Sequence, residues 1–275
     1  MSSEGLLELR FVLGHDGRTQ LAGRAQRFPL RFTAPMYLDP ADRGMAFVYV
    51  QNPTGGVFAG DRLVTRIVAE AGAHVHLTTP SATKVYRMEQ GEAQQRTEIH
   101  LGRDAYLEYV PEPLIPQAGS RLEQSLHVEL GEGAAFFGME TIAPGRLARG
   151  EAFAYDRLVL HTSVVSGREV CADTLLLEPS QRPPARRGLL GAYPYLGMAF
   201  AAAPRADCEA LADRLDESVR GAHGCLAAAG ALPSASGAFA RVLAVTSSAT
   251  RSALEGAWRA AREELMGTTP PVRRK

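Results

Sequence analysis

From about residue 45 to residue 178, apolar and polar residues alternate with period two, the pattern of strands that bury one face and expose the other. Leu63, Thr65, Ile67 and Ala69 fall on one side of such a strand, and Ala71-Gly72-Ala73 then turns the chain into His74-Val75-His76-Leu77. The same grammar returns where Thr97 to Leu101 turns through Gly102-Arg103-Asp104-Ala105 into Tyr106 to Val110. It returns again where Leu122 to Leu130 turns through Gly131-Glu132-Gly133-Ala134 into Ala135 to Ile142, and a fourth pair fits 152–177 with its turn at Ser166-Gly167-Arg168. Strand pairs recurring roughly every thirty residues predict a mainly β fold, a β-helix-like stack of antiparallel hairpins in which each unit covers the apolar face of the next.

The last third changes period. Residues 178–204, rich in proline and carrying arginines between 182 and 187, read as an irregular surface crossing. Leu211, Leu215 and Val219 then sit at helical spacing, and Ser252-x-x-Glu255 reads as a capping box before Leu254, Trp258 and Leu265. Between them Phe239 to Val245 predicts a strand. The expectation is one β-rich domain over 1–267 with a few C-terminal helices, followed by a disordered basic tail at 268–275.

Charge narrows the partners. With 30 Lys and Arg against 30 Asp and Glu, and an isoelectric point near 7.1, the 275-residue chain has no field to steer it toward nucleic acid or a membrane surface. A protein or small-ligand partner is expected instead. Met1 to Arg10 lacks a basic segment followed by an apolar one, and no apolar run reaches about eighteen residues, so a cytoplasmic location is expected. Cys171, Cys208 and Cys225 are odd in number and far apart, which suits buried thiols better than a disulfide framework or a zinc site.

Two segments stand apart from ordinary strand punctuation. Gly55-Gly56-Val57-Phe58-Ala59-Gly60-Asp61 concentrates glycine before a carboxylate, and Thr78-Thr79-Pro80-Ser81-Ala82-Thr83-Lys84-Val85-Tyr86-Arg87 sets hydroxyls beside one of the two lysines in the chain. The first lacks the Gly-Lys-Ser/Thr ending of a phosphate loop and leads into a strand, which argues against ATP or GTP binding. The second matches the Ser-x-x-Lys of serine acyl-transfer enzymes but lacks their companion motifs. Its plain alternative is a hydroxyl-rich loop that bonds its own backbone.

Four blocks in order carry a resemblance. They are Gly-Gly-x-x-x-Gly-Asp at 55–61, Thr-Thr-Pro-Ser-Ala-Thr-Lys at 78–84, Leu107-Glu108-Tyr109-Val110-Pro111-Glu112-Pro113-Leu114-Ile115, and Glu140 through Gly145-Arg146-x-x-x-Gly150-Glu151. On these the chain resembles the UreD family of urease accessory proteins, also called UreH, along nearly its whole length. Met139 stands where the family usually has tryptophan, and Pro144 where it has leucine. The resemblance implies a β-helix-like scaffold that is not itself an enzyme. It implies partners as well: the urease apoprotein, a helical bridging protein (UreF) and a GTPase (UreG). It further implies that nickel crosses the subunit transiently, with no cofactor held tightly, on its way to the urease active site.

A passage of that kind calls for weak oxygen ligands in series, since one tight site would trap the ion. The lining candidates are Asp61, Glu140 and Asp173, together with the polar Ser81, Thr83 and Lys84. For each carboxylate the alternative is a group satisfied by backbone N–H groups or by arginine. His74 and His76 share one strand face and suit a metal, but no third ligand is apparent in sequence, and solvent-facing or core-satisfied imidazoles are the favoured reading. Tyr193 and Tyr195, in an apolar Pro- and Gly-containing segment, are candidates for partner binding. The alternative function is a β-solenoid hydrolase using paired carboxylates such as Asp61 and Glu140. An aromatic share of 7% with a single tryptophan leaves little for a glycan groove.

Overall fold

Three turns of one design set the architecture. The computed structural model describes residues 2–204, 206–233 and 236–272, with backbone only at 168–170. Strands β5 (Arg62–Ala69), β8 (Ala93–Leu101) and β11 (Arg121–Leu130) are each followed by a tight turn and then by β6 (His74–Thr78), β9 (Tyr106–Val110) and β12 (Ala135–Ile142). In each turn the N–H of a buried alanine (Ala73, Ala105 or Ala134) donates to the carbonyl three residues earlier. The residue before that alanine (Gly72, Asp104 or Gly133) has positive φ, which glycine takes freely and aspartate tolerates.

These turns do not close hairpins. Strands β5, β8 and β11 lie side by side and parallel in one sheet, while β6, β9 and β12 lie parallel in another. Each turn therefore carries the chain from one sheet to the facing one: the mainly β, β-helix-like stack expected from the repeat is present, and only its pairing is corrected, from antiparallel hairpins to a coil of parallel strands. The pattern misleads because a turn after a half-buried strand reads the same whether the next strand pairs edge to edge or packs face to face. Only the fourth unit is a hairpin, with β13 (Arg157–Ser166) antiparallel to β14 (Arg168–Leu177).

The first sheet has seven strands in the order β14-β13-β11-β8-β5-β1-β2, with β1 (Glu4–Leu13) and β2 (Thr19–Arg27) at one edge. Their alternation precedes the stretch in which the sequence analysis placed strands. The second sheet has ten strands. Its main path runs β16-β17-β15-β12-β9-β6-β4-β3, and it includes β3 (Arg31–Phe32), β4 (Ala46–Gln51), β15 (Tyr195–Ala202), β16 (Cys225–Ala231) and β17 (Gly237–Ala244), with the short β7 (Thr83–Val85) and β10 (Leu114–Pro116) beside it. Segment 178–204 is thus irregular only up to residue 194, because β15 is a buried interior strand.

Two apolar layers follow from the topology. Leu7, Leu9, Phe11, Ile67, Ile99, Val128, Phe136 and Val164 fill the space between the sheets. On the other face of the second sheet, Ala199, Ala201, Ala238 and Ala240 present a smooth surface to α1 (Cys208–Arg220) and α2 (Ser247–Met266) through Leu211, Leu215, Leu254 and Trp258. Helix α1 begins at Asp207, whose carboxylate accepts the Ala210 N–H. Helix α2 begins at Thr246, whose hydroxyl accepts the Ala249 N–H, and Ser252 lies inside the helix rather than capping it. The capping box fails because a Ser-x-x-Glu inside a helix looks the same as one at its start.

None of the helices among the described residues is long and apolar enough to cross a membrane. Of the tail, 273–275 fall outside the described residues, while Thr268 receives a hydrogen bond from Arg262. None of the three cysteines is in a disulfide; Cys171 and Cys208 are buried and Cys225 is partly so.

Candidate functional site

Between the two sheets, at the end where β5, β8 and β11 begin, the core opens into a cavity of about 270 Å³. Inward positions change character along these strands. Deep rows are apolar, such as Ile67-Ile99-Val128-Val164, whereas the rows nearer the strand starts are Leu63-Gln95-Gln124-Leu160 and Thr65-Thr97-Leu126-Thr162. Gln95, Thr97, Gln124 and Thr65 line the cavity from the first sheet, and Thr78, Tyr109 and Glu140 from the second. The segments Asn52 to Gly56 and Thr79 to Thr83 form its rim.

Glu140 holds the central position. It follows the helix-facing Met139 on β12 and, by alternation, points between the sheets, where only 7% of its surface is exposed. One oxygen accepts a 2.5 Å hydrogen bond from Gln124 Nε2. Burial lifts its carboxyl to about 7; the Gln124 bond works the other way, and the negative Asp173 adds to the rise. Burial likewise pushes the neighbouring Tyr109 phenol well up, with Glu140 adding to it, so the phenol stays neutral. The cavity's other carboxylate, Glu112, is paired with Arg251 of α2 at 3.3 Å.

The structure separates the residues grouped in the sequence analysis. Ser81 and Thr83 reach the cavity rim, and Glu140 its interior. Asp173 is half-buried on β14 and paired with Arg241 at 2.9 Å, close enough to act on Glu140 but outside the lining. Asp61 is buried but also outside the lining, since its two oxygens accept the N–H groups of Ser3 and Phe58 at 2.9 Å each. That carboxylate closes the Phe58–Asp61 turn and fastens β1 beside β5. Lys84 is exposed on β7 and outside the lining as well.

The glycine run and the hydroxyl segment meet each other instead. The Val57 N–H donates to Lys84 O, and Phe58 stacks on Tyr86 at 4.8 Å between centroids. A Cβ at Gly56 would lie 2.5 Å from both the Lys84 carbonyl and the Tyr86 ring, so the glycine there serves close packing. Tyr195 packs against the helix-facing core and Tyr193 is half-buried. Asp61 and Glu140, the example pair for the hydrolase reading, are not brought together at one cavity.

A second polar constellation went unread in the sequence. On the helix-facing side of the second sheet, Arg262 of α2 is fully buried between Asp39 and Glu108, with Nη1 3.0 Å from Glu108 Oε1 and Nη2 on Asp39. Glu108 also accepts from Tyr106 at 2.9 Å and meets His76 Nδ1 at 2.7 Å. Burial raises the Glu108 carboxyl, but His76 and Arg262 outweigh it and hold the group below its ordinary range. The His76 ring lies against Phe47 and Trp258, while His74 pairs with Asp42 at 2.6 Å. Both histidines are thus satisfied by carboxylates, as the favoured reading had it. Glu108 stands in the 107–115 block but was given no role there, and Arg262 gave no signal because nothing in a sequence distinguishes a buried arginine on a helix from the exposed ones around it.

A family model described as UreD urease accessory protein matches residues 3–275. A urease accessory protein UreD 2 of Streptomyces griseus is 37% identical over 278 residues, covering 98% of this chain and 93% of that protein. The urease accessory protein UreD of Mycolicibacterium gilvum is 36% identical over 265 residues, covering 95% of each. That of Natronomonas pharaonis is 33% identical over 275 residues, covering 99% of this chain and 91% of that protein. With a match along nearly its whole length, the chain belongs to the UreD family of urease accessory proteins.

Proposed function

We propose that the chain serves urease maturation as a non-catalytic scaffold in the cytoplasm, docking on the urease apoprotein with the bridging protein UreF and the GTPase UreG, and that nickel crosses it through the cavity between the sheets. The observation that carries this reading is Glu140, a buried carboxylate in a cavity of mixed polar and apolar lining, whose hydrogen-bond partner is the neutral Gln124 rather than an arginine. A carboxyl raised to about 7 is part ionised near neutrality, so it takes a divalent ion without holding it as a preformed pair of charges would. Ser81 and Thr83 at the rim and the amide and hydroxyl oxygens inside supply further weak oxygen ligands. Such donors suit transient passage, where a thiolate cluster would retain nickel.

The test is maturation of urease apoprotein by the complex, with nickel content and activity read beside complex yield. Glu140→Gln is expected to assemble normally and to lower nickel loading several-fold. Asp61→Asn is the contrasting variant, because an amide cannot accept both backbone N–H groups; it should cost about 1–2 kcal/mol of stability and reduce yield of the folded chain. Full nickel loading by the Glu140 variant would sink the passage through this cavity.

A further inference from the structure

Among the described residues, the two acids that line the cavity are met differently. Glu112 is paired with Arg251 at 3.3 Å. Glu140 receives only the 2.5 Å bond from Gln124 Nε2 on one oxygen, and its other oxygen accepts no hydrogen bond from the described residues. That second oxygen is open to the cavity rather than sealed in the core. The charged and titratable groups around it leave it without a cation. Asp173 on β14 adds negative charge and has its own partner, Arg241 of β17, at 2.9 Å, while the Tyr109 phenol on β9 stays neutral. Arg96 belongs to the lining, but its guanidinium is 2.5 Å from Glu98 and its side chain is 63% exposed, on the opposite face of β8 from the inward Gln95 and Thr97.

Beside this carboxylate the wall is apolar. Gln124 stands opposite Leu160 of β13 in the strand register, and Ile142 follows Glu140 by two residues on the same face of β12. Leu63 and Leu77 belong to the same lining. The acceptors within reach of the space are the Gln124 amide oxygen, beside the nitrogen that bonds Glu140, and the hydroxyls of Thr65 and Thr97. A volume of about 270 Å³ holds roughly nine waters at about 30 Å³ each, so there is room for a molecule of several heavy atoms.

We infer that this cavity binds a small organic monocation, a primary alkylammonium ion with a short apolar arm, whose ammonium group seats on Glu140. One carboxylate neutralises one positive charge. A divalent ion beside Glu140 keeps an uncompensated charge in a buried place and is not retained, whereas a monovalent one forms a neutral pair there. The three N–H donors of the ammonium need three acceptors, and the open Glu140 oxygen, the Gln124 amide oxygen and a threonine hydroxyl or water supply them. The arm lies against Leu160 and Ile142, so apolar burial adds to the charge pair. An alcohol of the same shape gains the wall but not the pair. Seated on Glu140, the ion stands in the path proposed for nickel; that consequence rests on the nickel reading, while the site itself does not.

The experiment is calorimetric titration of the purified chain with n-butylammonium chloride, with neither urease nor nickel present. At pH 8 one ion per chain is expected, with butan-1-ol at least 10-fold weaker and Glu140→Gln weakening the ion by 10-fold or more. With the Glu140 carboxyl raised to about 7, ion and proton compete: the ionised fraction falls from most of the chains at pH 8 to about 1% at pH 5, so the apparent affinity should drop about 100-fold between them. At pH 7 binding should release about half a proton per ion, read from the dependence of the heat on the ionisation enthalpy of the buffer. No binding by the wild type at pH 8, equal binding of butan-1-ol, undiminished affinity in the Glu140 variant, or the same affinity at pH 5 and pH 8 would each overturn the inference. The nickel reading fails separately. No butylammonium binding beside a Glu140→Gln chain that still loads urease poorly sinks the monocation site alone, and binding beside full nickel loading sinks the passage alone.

Discussion

Glu140 and Glu108 are both buried carboxylates in the second sheet, yet their surroundings drive them in opposite directions. Glu108 meets a guanidinium and an imidazole, so its contribution to stability is present above the ordinary carboxylate range and is lost as pH falls through its lowered value. Glu140 meets mainly burial, and its carboxyl rises from 4.5 to about 7. Between those limits the folded chain holds a proton that the unfolded chain has released, so stability contributed by Glu140 is full below about pH 4.5 and is lost as pH rises through 7. The loss amounts to on the order of 3 kcal/mol. Glu140→Gln removes this titration and leaves that of Glu108. Urea unfolding of both proteins from pH 4.5 to pH 8 should therefore give a stability difference that drifts by roughly that amount in the variant's favour. Parallel curves would mean that Glu140 titrates as an ordinary exposed acid and that the cavity is wetter than its burial implies.

At the scale of the element, the three sheet-crossing turns form a ladder of their own. The Gly102 N–H donates to Ala69 O and the Gly131 N–H to Leu101 O, both at 2.7 Å, so each turn sits on the strand end before it. A Cβ at Gly102 would lie 2.7 Å from the Ala71 N, and one at Gly131 would lie 2.7 Å from the Leu101 carbonyl. Backbone cannot yield as a flexible side chain does. Gly102→Ala is therefore expected to destabilise the chain by about 1–3 kcal/mol, whereas the same change at Gly91, which has open space but positive φ, should cost only its local strain of about 1 kcal/mol. Thermal midpoints of the two variants check this, and equal shifts would deny the ladder any part in stability. The same elements mark what the sequence makes legible. Strand positions and inward faces from β5 to β14 follow from alternation, and Glu140 stands out there as an acid at an inward position. Pairing partners were not legible, because period two encodes which face is buried and not which strand lies alongside. Strand β16, Cys-Leu-Ala-Ala-Ala-Gly-Ala, carries too little contrast to show a period at all. Asp61 misled for a related reason: an acid after glycines reads as an open ligand, while its two backbone bonds come from Phe58 in its own turn and from Ser3, which is distant in sequence.

On the scale of the whole molecule, the helical layer is fastened by a charge network that spans almost the full chain. Arg262 reaches Asp39 across 223 residues and Glu108 across 154. Asp39 precedes β4, Glu108 lies mid-sheet and Arg262 is near the end of α2, so the network forms only once the second sheet exists and the last helix has docked on it. Both carboxylates and the guanidinium have no side-chain exposure, so removing the cation strands two buried anions. Arg262→Leu should cost about 3–5 kcal/mol, a large fraction of a typical domain's stability. The mechanism separates from simple loss of packing by compensation. Arg262→Leu combined with Asp39→Asn and Glu108→Gln leaves neutral polar groups in place of stranded charge, and should recover more than half of the loss even though it contains more substitutions. Urea unfolding midpoints of the single and triple variants decide between the two. A triple variant no better than Arg262→Leu would assign the arginine to shape rather than charge. Recovery would show that α2 is held to the sheet by matching charge as well as by the apolar contacts of Leu254 and Trp258. The network then belongs to the assembly of the three layers.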